Sequence, residues 1–253
     1  INALLLWIFS HWRPSAHYSW KSFRELFGFG SKLLASGLLD TFYRNIYLIV
    51  IGKFFSAQDL GYYTRAHQFS DFPSSNVTGI MQRVTYPVLC SIKDNDTRLA
   101  DIYRRFLRVS AFVIFPLMTG LAALAKPLVC VLLKEQWLFC ATLLPILCLS
   151  MMWYPVHAIN LNLLQVKGRS DLFLKLELIK KIIAIAPIVI GIFYGINYML
   201  WGSVCISFIS YFLNSHYSAV LIKYPTKNQL KDIFPTFLIS LFVAAFMWSI
   251  SLM

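Results

Sequence analysis

Long stretches without a charged side chain alternate with short charged ones along this chain. No Asp, Glu, Lys or Arg occurs in residues 109–125, 136–166, 182–222 or 233–253. About 20 apolar residues suffice for a helix to cross the hydrocarbon core of a bilayer. The 41 residues of 182–222 are enough for two such helices, and Gly195-Ile196-Asn197 supplies a turn between them. The pattern predicts a polytopic membrane protein.

The same runs, together with two apolar segments that contain ionisable residues, define the predicted helices. We expect the tail of a preceding transmembrane helix at 1–10 and complete helices at 28–52, 72–92, 106–133, 137–166, 172–194, 198–222 and 233–253. Because the runs are continuously apolar rather than alternating, they predict helices and not barrel strands. The expected fold class is an all-α, polytopic transmembrane helix bundle, with kinks at Pro116, Pro145, Pro155 and Pro187.

Composition narrows the class of protein. Hydrophobic residues make up 58% of the 253 residues and charged residues only 13%, against about 25% charged in soluble domains. This argues against a soluble globular enzyme. A formal charge of +12 would suggest nucleic acid on a soluble protein, but here it indicates cytoplasmic loops beside anionic lipid, so we expect membrane lipids and no nucleic acid as partners. The five cysteines form no C-x-x-C pair and predict neither a disulfide nor zinc.

The predicted loops differ in their content of Lys and Arg. Loops 11–27, 93–105, 167–171 and 223–232 are the richer ones, and loops 53–71, 134–136 and 195–197 are the poorer ones. The richer loops are every second one, as alternating transmembrane helices require. The positive-inside rule places them in the cytoplasm.

Ionisable residues inside the predicted spans are the first candidates for function, because each costs about 2.5–3.5 kcal/mol at mid-bilayer. In helix 28–52, Ser36, Asp40 and Arg44 are four residues apart and share one face, with Tyr43 and Tyr47 in a neighbouring stripe. This face predicts either a wet cavity that receives an anionic group or an Asp40–Arg44 pair that serves stability alone.

Helix 72–92 carries a second polar face. Asn76, Gly79, Arg83 and Tyr86 follow one another at spacings of 3, 4 and 3 residues. A guanidinium group matches the geometry of phosphate, so Arg83 is a candidate ligand for an anion. The alternative is that backbone carbonyls hold Arg83 for stability.

The start of helix 172–194 is rich in charge. Asp171–Lys175 and Glu177–Lys181 are spaced as i,i+4 ion pairs, and Lys180 is left over because it belongs to neither pair. Lys180 either snorkels to the cytoplasmic interface or forms a cationic rim that faces a polyanionic headgroup. Three further polar residues in helix 137–166 predict hydrogen bonds between helices: His157, Asn160 and Gln165.

Several motifs resemble those of a known transporter family. They lie at residues 44–66, 83–89, 103–108, 115–127 and 165–171, and include Gly52-Lys53-Phe54-Phe55 and Gly61-Tyr62-Tyr63. In this order they resemble the bacterial polysaccharide transporter family, the Wzx-type flippases of O-antigen and lipopolysaccharide. That family belongs to the multidrug/oligosaccharidyl-lipid/polysaccharide exporter superfamily. Tyr47 stands where the family usually has an acidic residue, so no carboxylate role is transferred there.

The resemblance implies a domain organisation. Family members have two six-helix lobes, often followed by two more helices. We therefore expect the last helix of the N-terminal lobe at 1–10 and a cytoplasmic inter-lobe linker at 11–27. The C-terminal lobe is expected at 28–222, and a cytoplasmic loop with one additional helix at 223–253.

The resemblance also implies a function, which is not an enzymatic one. The expected activity is to move undecaprenyl-pyrophosphate-linked oligosaccharide across the bacterial inner membrane. Arg44, Arg83 and Lys180, with Asn76 and Tyr43, are the expected substrate-binding residues. Asp40 is the candidate for coupling to Na⁺ or H⁺, polysaccharide assembly proteins are possible partners, and no cofactor or metal is expected.

Three alternatives remain open from the sequence. A drug exporter of the MATE type would favour acidic residues over arginines in its cavity. An integral-membrane polymerase or ligase would need a large periplasmic loop, and loop 53–71 offers only Asp59, Arg65, His67 and Asp71. A scaffold for the synthesis complex would need neither.

Overall fold

The regular structure of the protein is helical throughout its described part. The computed structural model describes residues 19–251, apart from the side chains of residues 39, 40, 42–44 and 251. Its helices are α1 (Trp20–Phe54), α2 (Ala57–Ser91), α3 (Asp96–Ala123), α4 (Ala125–Leu133), a 3₁₀ turn (Glu135–Trp137), α5 (Leu138–Met151), α6 (Tyr154–Val166), α7 (Ser170–Ile183), α8 (Ile185–Tyr194), α9 (Ile196–Ile222) and α10 (Thr226–Ser251). The predicted all-α class is confirmed. The predicted tail at 1–10 lies outside the described residues.

Four described segments are long and apolar enough to cross a membrane. They are Asp96–Ala123, Glu135–Val166, Ile196–Ile222 and Thr226–Ile250, and they correspond to four of the predicted spans. The remaining predicted spans lie on α1, α2 and α7–α8. These segments are helical, and whether they cross the membrane stays a prediction.

One predicted loop is wrong in its bounds. The supposed loop 53–71 consists of the end of α1, a connection of only Phe55 and Ser56, and the first turns of α2. Ser56 starts α2 with a capping box: its Oγ accepts from Asp59 N at 3.0 Å, and Asp59 Oδ2 accepts from Ser56 N at 3.2 Å. The end of the predicted linker 11–27 is helical from Trp20, with Ser19 as the N-cap, and its role as a linker stays a prediction.

Proline explains why three of the predicted helices are divided. The helices break at Leu124, Met152 and Ala184, three residues before Pro127, Pro155 and Pro187. A proline has no N–H for the carbonyl four residues before it, and its ring collides with that carbonyl. By contrast, the helix assignments run without interruption through Pro116 and Pro145.

The turn between α8 and α9 forms where the sequence predicts it. Gly195 has φ of 107°, a left-handed conformation that favours glycine. The two helices then pack closely, since a Cβ on Gly191 would lie 2.4 Å from Met199 Cβ. Gly191 is therefore required for the close approach of α8 and α9.

The bundle is built around α2, α3, α5–α6 and α9, which pack against one another. Helix α1 packs against α7, and α10 lies along α3. At one end, Lys167 Nζ donates to Lys93 O at 2.7 Å and to Asp96 Oδ1 at 2.8 Å. The connections 92–95 and 167–169 therefore lie on the same side, as the alternation of basic loops predicts.

Candidate functional site

A central cavity of about 440 Å³ lies between α1, α2, α5, α6, α7 and α9. Along α2 its lining extends from Tyr63 to Gln82. At a rise of 1.5 Å per residue, this distance is about 28 Å, close to the hydrocarbon thickness of about 30 Å. The cavity therefore follows the long axis of the bundle, in the direction that a membrane-crossing path must take.

Aromatic residues line one end of the cavity, near the α1–α2 connection. The rings of Tyr47 and Tyr63 stack with centroids 6.5 Å apart, and His67 lies one turn further along α2 with its ring 5.6 Å from that of Tyr63. Both tyrosines are almost fully buried. They give the cavity a rigid wall with a few polar atoms.

Three charged side chains of α7 also line the cavity. Glu177 forms an ion pair with Lys180, and Lys181 Nζ lies 3.9 Å from Glu177 Oε2. The two lysine side chains are only 12% and 19% exposed. Two ammonium groups and one carboxylate thus lie together at the wall of the cavity, and partial burial reduces the screening of their charges by water.

The pairing of charges on α7 differs from the predicted one. Lys180 is not left over, because the three-residue spacing places it on the same face as Glu177 and closer to it than Lys181. The predicted Asp171–Lys175 pair is also wrong. Asp171 instead accepts from Arg169, at 3.0 Å from Nε and 2.9 Å from Nη2.

Helix α6 contributes polar groups to the cavity and to the interior beside it. His157 and Gln165 line the cavity, and His157 Nε2 lies 3.4 Å from Ser207 Oγ. Asn160 points elsewhere: its Oδ1 accepts from Tyr103 Oη at 2.7 Å and from Ser218 Oγ at 2.5 Å. The predicted role of Asn160 in joining helices is confirmed.

The cavity contains only one of the predicted substrate-binding residues whose side chains are described. Lys180 lines it, whereas Asn76 and Arg83 are exposed on α2 and do not. Asn76 Nδ2 donates to Phe72 O of its own helix at 2.6 Å. Arg83 makes no hydrogen bond or ion pair with the described residues, so the alternative in which carbonyls hold it finds no support there.

The three predicted residues of α1 lie in a helix whose backbone is described. The side chains of Asp40, Tyr43 and Arg44 lie outside the described part of the chain, and their predicted roles stay predictions. Ser36, four residues before Asp40, lines the cavity. This places one member of the predicted polar face of α1 at the site.

Sequence reasoning missed the cavity face of α2, because half of that helix was assigned to a loop. The residues that line the cavity from α2 are Tyr63, His67, Thr78 and Gln82. Their spacings of 4, 11 and 4 residues place them on one helix face. The signal was therefore present in the sequence as a helical periodicity of polar residues.

Comparison with known proteins identifies the family. A family profile described as polysaccharide biosynthesis protein matches residues 1–142, more than half of the 253 residues. The chain belongs to this family. Together with its apolar helices, this membership makes the chain a multi-pass protein of the bacterial inner membrane, and it confirms the resemblance to proteins of polysaccharide biosynthesis and transport.

Named relatives are similar over part of their length. The chain is 28% identical over 161 residues to the teichuronic acid biosynthesis protein TuaB of Bacillus subtilis, which is 64% of this chain and 33% of that protein. It is 25% identical over 145 residues to the succinoglycan biosynthesis transport protein ExoT of Rhizobium meliloti, 57% of this chain and 29% of that protein. The chain is also 28% identical over 178 residues to an uncharacterized membrane protein of the cps region of Klebsiella pneumoniae, which is 68% of this chain and 37% of that protein.

The matched regions thus span about a third of the length of these relatives. No solved structure shows significant similarity to the chain.

Proposed function

We propose that the chain is part of a transporter that moves an anionic, lipid-linked oligosaccharide across the inner membrane. The expected carrier is undecaprenyl pyrophosphate. The observation that carries the proposal is the central cavity, which two partly buried lysines, Lys180 and Lys181, line beside Glu177. The ammonium groups of these two lysines suit an anionic substrate.

The lysines suit a pyrophosphate group. A lysine ammonium binds phosphate as a point charge, and Glu177 keeps both lysines on the cavity side of α7 when no anion is bound. An entering pyrophosphate would replace the Glu177 carboxylate as their partner. This exchange avoids leaving either cation unpaired in a region of low dielectric constant.

The remaining lining suits the sugar part of the substrate. Gln82, Gln165 and Ser203 supply hydrogen-bonding groups, and Tyr47 and Tyr63 supply flat apolar surface. A volume of about 440 Å³ is in the range of sites for small molecules, about 300–1,000 Å³. It accommodates a pyrophosphate with the first sugars rather than a long oligosaccharide, so we expect a second lobe to complete the path.

The relatives and the helix connections support transport over catalysis. The succinoglycan relative is named as a biosynthesis transport protein, whereas the name of the teichuronic acid relative gives biosynthesis alone. The loop that a polymerase or ligase would need at 53–71 is reduced to two residues between α1 and α2. In the proposed mechanism no bond is made or broken, and rocking of two lobes exposes the cavity to each side in turn.

The test is made in cells with the full-length protein. Deletion should make lipid-linked oligosaccharide accumulate on the cytoplasmic leaflet. The double substitution Lys180→Gln and Lys181→Gln should reproduce this accumulation. The matched control is Lys175→Gln, on an exposed position of the same helix that does not line the cavity. Normal export by the double variant at normal protein levels would refute the assignment.

Two further predictions belong to the same hypothesis. Arg83→Ala should reduce export if this exposed arginine meets the substrate or the second lobe, and unchanged export would remove Arg83 from the site.

Asp40→Asn should abolish dependence of transport on a Na⁺ or H⁺ gradient without preventing substrate binding. A gradient dependence that survives in Asp40→Asn would exclude Asp40 as the coupling residue.

A further inference from the structure

A second cavity of about 630 Å³ lies between α3 and α10, outside the central bundle. The lining of this cavity is charged at one end and apolar at the other. It consists of Arg104, Arg108, Val109, Phe112, Lys231, Asp232, Pro235 and Thr236. It shares no lining residue with the central cavity. The proposed transport path therefore leaves this surface without a role.

The charged end of this cavity is strongly basic. Asp232, whose side chain is 7% exposed, accepts from Arg104 Nη2 at 2.7 Å and also from Arg108 and Tyr224. Burial and the hydrogen bond to the Asp232 carboxylate raise the pKa of Tyr224, which stays a donor. Lys231 adds a third cation without a bond to any described residue, so three cations face one acid.

Hydrogen bonds with the described residues occupy only some of the N–H groups of the arginines. Arg108 donates to Asp232 through Nη2, and its Nε and Nη1 make no hydrogen bond with the described residues. Half of its side chain is exposed. Because a guanidinium group has five N–H donors arranged as a fork, Arg108 can hold Asp232 and still bind a phosphate from outside.

The cavity lies at the boundary between charged and apolar surface. Arg108 and Asp232 each directly precede an uncharged run, residues 109–125 and 233–253. Phe112, one helical turn beyond Arg108 on the same face, is 71% exposed, and Val109 is also exposed. Basic groups at the headgroup level are thus followed by an apolar groove at the depth of the acyl chains.

We propose that this cavity binds an anionic glycerophospholipid of the cytoplasmic leaflet. Its phosphate would contact Arg108, Lys231 and Arg104, and its acyl chains would lie along Val109 and Phe112. Basic pockets between transmembrane helices at the cytoplasmic face suit such headgroups. Both lipid classes carry a phosphate, but a zwitterionic headgroup would bring a further cation to a site where the lining cations exceed the acid by two, which favours an anionic lipid.

The test uses the full-length protein in detergent with added phosphatidylglycerol or phosphatidylcholine, and counts bound lipid by native mass spectrometry. The wild-type protein should prefer phosphatidylglycerol. Arg108→Gln and Lys231→Gln should each weaken that preference about fivefold, since each cation near a membrane surface contributes about that factor. Arg105→Gln, an exposed arginine on α3 that does not line the cavity, is the control and should change nothing.

If the arginines serve only to hold α10 against α3, the variants should differ in another way in their lipid binding. Asp232→Asn would then act like Arg108→Gln, whereas a lipid site predicts unchanged or stronger phosphatidylglycerol binding in Asp232→Asn. Lys231 makes no bond with the described residues, so Lys231→Gln tests the site without disturbing the clamp. Equal effects of Arg105→Gln and Lys231→Gln, or displacement of the lipid by inorganic phosphate, would overturn the proposal.

Discussion

Two groups of polar side chains in the interior differ in how they are held. In the first, Tyr103 Oη donates to Asn160 Oδ1 at 2.7 Å and lies 3.3 Å from both Ser218 Oγ and Gln229 Oε1. These residues come from four helices, α3, α6, α9 and α10, and all are fully buried. We call this group the Tyr103 network.

The second group consists of Glu177, Lys180 and Lys181, which lie within two turns of a single helix, α7. Its members pair with one another on α7, retain some exposure and face the central cavity. A group whose partners come from four helices stabilises the bundle, because each bond ties two elements together. An ion pair formed along one helix, such as Glu177–Lys180, can exchange partners without separating helices, which a binding site requires.

The largest expected effect on stability comes from the Tyr103 network. Tyr103→Phe removes the hydroxyl, which leaves the buried Gln229 Oε1 without its described donor and Asn160 Oδ1 with Ser218 Oγ as its described donor. We expect a loss of about 2 kcal/mol in the free energy of unfolding, measured by thermal unfolding in detergent. Protein that remains folded should still bind substrate, because the network does not line the cavity.

The control for this prediction is Tyr198→Phe. Tyr198 is exposed, so the loss of its hydroxyl should change stability by less than about 0.5 kcal/mol. Equal stability of Tyr103→Phe and Tyr198→Phe would mean that the network contributes nothing to holding the four helices together.

The second expected effect is a gain in affinity at the cavity. Glu177→Gln removes the carboxylate that competes for both lysines, so a short-chain polyprenyl pyrophosphate should bind at least about tenfold more tightly, or about 1.4 kcal/mol. Isothermal titration of the full-length protein measures this change. Glu25→Gln, an exposed acid on α1, is the control, and weaker binding by Glu177→Gln would contradict the proposed exchange of partners.

The smallest effect is expected at the basic end of the bundle. Lys167 bridges Asp96 and Lys93 O at an exposed site, so Lys167→Gln should cost only about 0.5 kcal/mol. Thermal unfolding at low and high salt measures this loss, and high salt should reduce the ion-pair part of it. A loss as large as that of Tyr103→Phe would remove the distinction between surface and interior contacts.

The bounds predicted from the sequence are most accurate for helices that are apolar on every face. The predicted helix 198–222 corresponds to Ile196–Ile222, because an uncharged run of that length has few other structures open to it. The first half of α2 was missed, since Tyr63 and His67 face the cavity and the polar residues between Ala57 and Asp71 resemble a loop. Polar residues that serve a cavity weaken the signal on which a transmembrane prediction depends.

The ion-pair and hydrogen-bond partners of individual side chains could be predicted only in part. The i,i+4 spacing paired Glu177 with Lys181 and left Lys180 out, but the preferred partner depends on side-chain conformation at the cavity. Asn160 was recognised as a residue that joins helices, yet its partner Tyr103 is 57 residues away. Nothing local to either residue specifies that contact, which requires α3 and α6 to be packed together first.

Photo-crosslinking of the full-length protein tests the central claim most directly. The photoreactive residue p-benzoylphenylalanine replaces Phe173, which lines the cavity, or Phe193, which is exposed on α8. We predict that lipid-linked oligosaccharide pyrophosphate is captured at position 173 and not at 193, and that Lys180→Gln with Lys181→Gln abolishes the capture. Equal labelling at both positions, or labelling at 173 that is independent of the two lysines, would contradict a cavity that binds its substrate through these cations.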